Sequence, residues 1–324
     1  MPCRDYSFSL LGGLVLAWVL VCLPSPGWAK AFFKGAKVCR ECHEEEFKVW
    51  KETKHFKSFR NAHREPKEEG RPSPKKILAA VKGSRNMKKN KTCNLCHYTM
   101  VQKNADAKRV AKSGTSCESC HGASSDWLRL HDDYGGKNIN REDETPKHKA
   151  ERYAASRAAE LIWPNMKYDV AKNCMTCHGL AHPGLTAEVL GKMLDAGHPI
   201  NPDFELVKYS QGSIRHRFYA PHVTTNAEMS PPQLAELFVI GQAAKLVSAL
   251  AVLTKSENPK YRSAQEKRAS DSRAALSALR SVPEAAAFIK APNEKNARKL
   301  IAAIAGKNLT REIGNLLPKN KDYK

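Results

Sequence analysis

The stretch Cys39-Arg-Glu-Cys42-His43 has the pattern CxxCH, and the same pattern recurs as Cys93-Asn-Leu-Cys96-His97, Cys117-Glu-Ser-Cys120-His121 and Cys174-Met-Thr-Cys177-His178. Two thiols at this spacing reach the two vinyl groups of one porphyrin, and the histidine that follows binds the iron from one side. The motifs predict four covalently bound haem c groups, with thioether bonds to Cys39, Cys42, Cys93, Cys96, Cys117, Cys120, Cys174 and Cys177. The predicted proximal iron ligands are His43, His97, His121 and His178.

The cysteine count favours haem attachment over other uses of cysteine. Of ten cysteines, Cys3 and Cys22 lie in the N-terminal segment discussed next, and the other eight all belong to the motifs. Four disulfides would give no reason for a histidine after every second cysteine. Zinc sites also combine cysteine with histidine, but an adjacent Cys-His pair points its two side chains in different directions.

The first 31 residues have the pattern of an export signal. Arg4 precedes an apolar run over residues 10–23, and small residues offer cleavage after Ala29 or Ala31. An uncleaved membrane anchor is the alternative, but the run is shorter than the about 20 residues that a membrane span needs. We therefore predict a periplasmic protein whose contact with the membrane is at most peripheral.

Composition excludes several classes of protein. The 324 residues contain 54 Lys and Arg against 33 Asp and Glu, a net charge of +21, and only 7% aromatic residues. The positive charge excludes an acidic disordered chain, and the scarcity of long apolar runs excludes a multi-span membrane protein. Because few aromatic side chains are available to fill a core, we expect the haem groups to fill much of it. No binding to DNA or other nucleic acid is expected outside the cytoplasm.

Eight histidines outside the motifs are candidates for the second axial ligand: His55, His63, His131, His148, His182, His198, His216 and His222. The methionines show no matching arrangement, so ligation by two histidines is predicted. His55 lies twelve residues beyond His43, which is about 18 Å along a continuous helix. Two nitrogen ligands of one iron are only about 4 Å apart. His55 is therefore expected to bind a neighbouring haem, and the same argument applies to His131, ten residues after His121.

Three segments resemble the tetrahaem cytochrome c-554 family of ammonia oxidisers: VCRECHEEEFKVWKETKH (38–55), TCNLCHY (92–98) and SCESCHGASSDWLRLHDDYGG (116–136). The resemblance extends over about residues 36–222. It implies that His55 is the distal ligand of the His178 haem and that His131 is the distal ligand of the His43 haem. A later histidine ligates the third haem in that family, and His216 is the nearest match in position.

The resemblance leaves the coordination of the His97 haem open, because the second haem of the best-known family members is five-coordinate. His198 lies in the turn-rich stretch Ala196-Gly197-His198-Pro199, and is a candidate to close the His97 haem or to exchange roles with His216. With every iron closed, the protein is an electron carrier. With an open iron at His97, it is a redox enzyme for nitric oxide, nitrite or hydroxylamine. A haem-linked filament or a haem-based sensor is a third alternative.

The chain beyond His222 has no further histidine or cysteine and shifts towards Ala, Leu and Lys. Ser230-Pro231-Pro232-Gln233 and Ser281-Val282-Pro283-Glu284 predict helix starts, and Gly306 predicts a helix end. We expect three or four short helices between about residues 231 and 317.

The predicted fold is mainly α. A signal peptide (1–31) precedes a multihaem c-type cytochrome domain with little regular core (32–226), which is followed by an Ala/Leu/Lys-rich helical region (227–324).

A basic segment, residues 64–91, separates the first two motifs. It contains ten Lys or Arg, three Glu and three prolines, and predicts a surface loop. The segment is either an ordinary solvated face or a docking site that attracts an acidic redox partner. The resemblance implies a hydroxylamine-oxidoreductase-like multihaem enzyme as donor and a membrane quinone-linked cytochrome as acceptor. The predicted function is electron transfer between such partners, in periplasmic respiration or nitrogen-compound oxidation and reduction.

Overall fold

The computed structural model describes residues 30–324, so the predicted export signal lies outside the described residues except for its last two positions. The structure is about 51% helical with 3% strand. This confirms the mainly α prediction.

Ten short helices carry or connect the motifs. They are α1 (Ala36–Arg40), α2 (Glu44–Glu52), α3 (Lys54–Asn61), α4 (Pro74–Ala80), α5 (Asn94–His97), α6 (Cys117–His121), α7 (Pro146–Ala158), α8 (Lys167–His178), α9 (Ala187–Asp195) and α10 (Leu206–Ser210). Two of them begin where a capping side chain precedes proline, at Ser73-Pro74 and Thr145-Pro146. The cap accepts a free N–H group of the first turn, and proline supplies a helical φ at a position that needs no donor.

A two-stranded antiparallel sheet lies between the second and third motifs. Strand β1 (Thr99–Val101) pairs with β2 (Val110–Ser113), and Thr99 lies opposite Ser113. Phe33 forms a parallel bridge to Val101, which attaches the start of the described chain to the sheet.

The C-terminal region contains α11 (Pro231–Val252), α12 (Pro259–Leu276), α13 (Pro283–Lys290), α14 (Glu294–Ile304) and α15 (Thr310–Ile313). The capping box predicted at Ser230 and Gln233 is confirmed, and Gly306 follows α14 with a positive φ of 73°. The prediction of three or four short helices is wrong, since the described region has five and two of them are long. At the second predicted start, α13 begins at Pro283 as expected, but Val282 and not Ser281 is the residue that precedes the first turn. The Ser281 side chain and backbone N–H bond to the carboxylate of Glu312.

The larger apolar core is shared between the two predicted regions. It joins Tyr168, Ala171 and Met175 of α8 to buried side chains of α10 to α15. A smaller cluster joins Val81 to α9 and Tyr261. Residues 31–324 form one compact unit, and the predicted boundary at 226/227 lies inside it.

Helix α11 forms the centre of the larger core. By length and composition it is apolar enough to cross a membrane, but most of it is buried inside the protein. Its apolar side chains surround the helix because other helices pack on several of its sides.

The basic segment is more ordered than the predicted loop. It contains α4 and a 3₁₀ turn at Met87–Lys89, and Asn90 binds the carbonyl groups of Lys82 and Ser84. The signal for α4 is present in the sequence, since Ser73 precedes Pro74.

Candidate functional site

Each CxxCH motif forms a short helix or lies at the end of one. In the first, Cys39 is in α1 and His43 immediately precedes α2. The second and third motifs form the short helices α5 and α6, and the fourth forms the last turns of α8. A helical turn brings cysteines three positions apart to one side of the backbone, which suits attachment to one porphyrin.

Each motif histidine faces a histidine from a distant part of the chain. The ring centres are separated by 6.3 Å for His43 and His131, 6.0 Å for His55 and His178, 6.1 Å for His97 and His198, and 6.3 Å for His121 and His216. Two metal–nitrogen bonds of about 2 Å, with the short step from each nitrogen to its ring centre, place two ligand rings about 6 Å apart. The four pairs fit this separation.

The structure brings together the two crossed pairs that the family resemblance implies. His55, in α3, faces His178 at the end of α8, and His131 faces His43. The segment before His131 consists of turns rather than a helix.

The structure also assigns partners to the two histidines whose roles were left open. His216 faces His121, and His198 faces His97. His198 follows Gly197, whose positive φ of 96° allows the sharp turn after α9.

Four of these eight imidazoles are oriented by a backbone carbonyl. In each case the ring Nδ1 donates the hydrogen bond. His121 donates to Ile162 O, His131 to Leu128 O and His198 to Pro199 O, each at 2.8 Å. His216 donates to Ile214 O at 2.6 Å. A proton held on Nδ1 leaves Nε2 with its lone pair free, which is the form that binds a metal.

Burial keeps two of the motif histidines neutral. It lowers the pKa of His97 and of His178 to about 4. A neutral imidazole has a free lone pair for the iron, so the surroundings of both residues favour the ligating form.

An ion pair that the sequence analysis missed supports His131. Arg152 Nη1 donates to the carbonyl of His131 at 2.6 Å, and its Nε and Nη2 form a bidentate pair with Glu144 at 2.7 and 2.6 Å. Both side chains are buried, at 6% and 2% exposure. His148, one of the eight histidines outside the motifs, bonds to the same carboxylate at 2.9 Å. No local pattern marks these residues, because the arrangement depends on how α7 packs.

The eight motif cysteines are all free thiols in the described part of the chain. Thiols of different motifs lie next to one another: Cys39 interacts with Cys117, and Cys96 interacts with Cys177. Paired thiols beside facing imidazoles are the donor set that covalent haem requires, so the residues present fit haem c.

The two arginines next to His216 contact neighbouring side chains. Arg215 forms an ion pair with Glu228 at 2.9 Å, and Arg217 lies over the ring of Tyr219. One nitrogen of each arginine, Nε, is buried without a hydrogen-bond partner.

Comparison with known proteins agrees with this donor set. The family model described as "Cytochrome c554 and c-prime" matches residues 38–122. Cytochrome c-554 of Nitrosomonas europaea is 28% identical over 154 residues, which cover 46% of this chain and 59% of that protein. No solved structure matches the chain. Over the matched segments, the chain is therefore similar to c554-type cytochromes, whose c-type haem is covalently bound.

Proposed function

We propose that the protein binds four haem c groups and transfers electrons between redox partners. Each haem is attached through one CxxCH motif and is ligated by the motif histidine and the histidine that faces it. The observation that carries the proposal is the set of four histidine pairs with ring centres 6.0 to 6.3 Å apart. A haem held between two histidines accepts and releases single electrons with its coordination unchanged.

Residues around each proposed haem site hold the axial imidazoles and the porphyrin in fixed positions. Backbone carbonyls hold the imidazoles of His121, His131, His198 and His216 in one orientation. Motif cysteines fix each porphyrin at two points. Such a site changes little in geometry between oxidation states, which favours rapid transfer between neighbouring haems.

Proximity between cysteines of different motifs supports one order for the haems. Cys39 neighbours Cys117, Cys120 interacts with Cys177, and Cys177 neighbours Cys96. We propose that electrons pass along the first, third, fourth and second motifs, in this order or its reverse.

The enzyme alternative requires an open position on the His97 haem. His198 faces His97 at ligand distance, and its Nδ1 is bound to Pro199 O. This placement supports the electron carrier over the enzyme.

We further propose that the carrier acts in the periplasm, with a multihaem oxidoreductase as donor and a membrane quinone-linked cytochrome as acceptor. The basic segment is a candidate docking surface because it lies next to the turn that carries His198. Pro72 of this segment lies 3.7 Å from the position that a side-chain carbon would take at Gly197. Basic side chains next to the His198 turn would attract an acidic partner to this end of the haem series.

The test is the low-temperature electron paramagnetic resonance spectrum of the oxidised holoprotein, recorded with and without cyanide or nitric oxide. We expect four haems per chain, all low-spin and all indifferent to added ligand. His198→Ala should convert one haem to a high-spin form that binds cyanide, because it removes one axial nitrogen. His63→Ala, which removes a histidine from the turn after α3, is the control and should leave the spectrum unchanged. A wild-type high-spin haem that binds nitric oxide, or fewer than four haems, would contradict the proposal.

A further inference from the structure

A fully buried guanidinium lies in the interior of the C-terminal region. Arg268, in α12, has no exposed surface. Its Nη atoms donate to Gln265 Oε1 at 2.5 Å, Ser248 Oγ at 3.3 Å and Met175 Sδ at 3.4 Å, and its Nε has no partner. All these partners are neutral, and no ion pair within residues 30–324 includes Arg268. A buried charge without a counter-charge is costly, so its presence needs a physical reason.

The guanidinium lies directly against the end of the fourth motif. A side-chain carbon at Gly179, the residue after His178, would lie 2.6 Å from both Nη atoms of Arg268. Nearby, Gln265 donates to Gly179 O at 2.9 Å and Tyr261 donates to Leu180 O at 3.2 Å. These contacts hold α12 against the turn that follows the proximal histidine.

A second cation shares this interior. Lys245, in α11, is 4% exposed and repels Arg268 electrostatically. The carboxylate of Glu205 lies near Lys245. It accepts hydrogen bonds from the backbone N–H groups of Val207 and Lys208, at the start of α10. We call Arg268 and Lys245 the buried cation pair.

A fixed positive charge in a protein interior acts strongly on nearby charge, because the surroundings screen it weakly. When one electron passes from a reduced redox protein to a haem iron, the iron goes from the ferric to the ferrous state and the local charge falls by one. A neighbouring cation favours the state with the added electron. It therefore raises the reduction potential, a quantity that surrounding charge is known to tune.

We propose that the buried cation pair, supplied by helices beyond the matched family segment, raises the reduction potential of the haem held by His178. Arg268 acts through its fixed positive charge and does not bind the iron. The inference rests on the proposed function, because it needs a haem at the fourth motif. It gives the C-terminal region a role in setting where an electron resides along the haem series.

The test compares two substitutions on α12 that each remove one positive charge. Arg268→Gln removes the buried charge next to Gly179. Arg262→Gln removes an exposed one, since the Arg262 side chain is 48% exposed and pairs with Glu257 at 2.8 Å. Both are also made in a His55→Ala background, where loss of the distal ligand labels the His178 haem with a high-spin signal. The potential of that signal is then followed by redox titration.

We expect Arg268→Gln to shift the labelled haem to a lower potential and Arg262→Gln to leave it nearly unchanged. Equal potentials in the two variants, with four haems bound in each, would overturn the inference while leaving the proposed function intact. Wild-type protein with fewer than four haems, or without low-spin signals, would instead overturn the proposed function. If Arg268→Gln binds fewer than four haems, Lys245→Met decides: a lower potential of the labelled haem supports the inference, and an unchanged one overturns it.

Discussion

At the scale of single residues, the facing histidines depend on neighbours that hold them in place. His131 is held twice, through Nδ1 to Leu128 O and through its own carbonyl to Arg152, which Glu144 fixes in turn. Such supporting contacts decide whether an imidazole stays within bonding distance of its iron.

Acid should weaken this support. The hydrogen bonds from Arg152 lower the pKa of Glu144 to about 2, below its ordinary value of 4.5. A carboxyl with a lowered pKa stabilises the folded protein fully above pH 4.5, and this contribution falls as the pH drops towards about 2. We therefore expect the His43 haem to become partly high-spin over that range, as followed by absorption and magnetic resonance spectra.

Glu144→Gln removes the ion pair at every pH and should produce part of the same high-spin signal at pH 7. The exposed neighbour Glu142 provides the control as Glu142→Gln. Identical spectra of Glu144→Gln and wild type from pH 7 to pH 2 would show that the pair does not hold His131.

At the scale of elements, the break between α2 and α3 orients His55. Thr53 is extended, with φ −73° and ψ 158°, and separates two helices that would otherwise continue as one. Its Oγ1 accepts from Phe56 N at 3.1 Å and donates to Trp50 O at 2.6 Å. The cap thus starts α3 in a new direction, two residues before His55.

Thr53→Ala should destabilise the protein by about 1 kcal/mol, the usual effect of losing an N-cap. Because α3 carries His55, we also expect a small high-spin fraction at the His178 haem. Thr53→Ser retains the hydroxyl and should recover most of the stability, measured by chemical denaturation of the holoprotein. Equal loss in both variants would show that the methyl group, and not the cap, is responsible.

At the scale of the whole molecule, the motif region and the C-terminal helices share one core. Tyr168, Ala171 and Met175 lie on the helix that carries the fourth motif, and they are buried against the C-terminal helices. The predicted boundary at 226/227 lies inside this compact unit, and we expect that the chain cannot be divided there into two stable parts.

A chain that ends at residue 226 should fail to hold the His178 haem stably, because α8 would lose the apolar surface that covers it. Haem content per chain and resistance to proteolysis, compared with the full-length protein, measure this. A stable truncated protein with four low-spin haems would show that the shared core is dispensable for the haem sites.

The sequence by itself determined the four attachment motifs, the mainly α fold and the capped start of α11. Each of these depends on residues within a few positions of one another, where chemistry and backbone geometry are local. Local spacing also predicted that His55 and His131 bind neighbouring haems rather than their own. It could not assign partners to His198 and His216.

Only the tertiary structure decided which imidazoles face each other, because the members of each pair lie 88 to 123 residues apart in the chain. The same holds for Arg268. Helix α12 is rich in Lys, Arg and Ser, a composition typical of a solvated helix, and the charge becomes buried only because α8 and α11 pack against it. Burial follows from contacts between distant segments, and neither periodicity nor composition within one segment specifies those contacts.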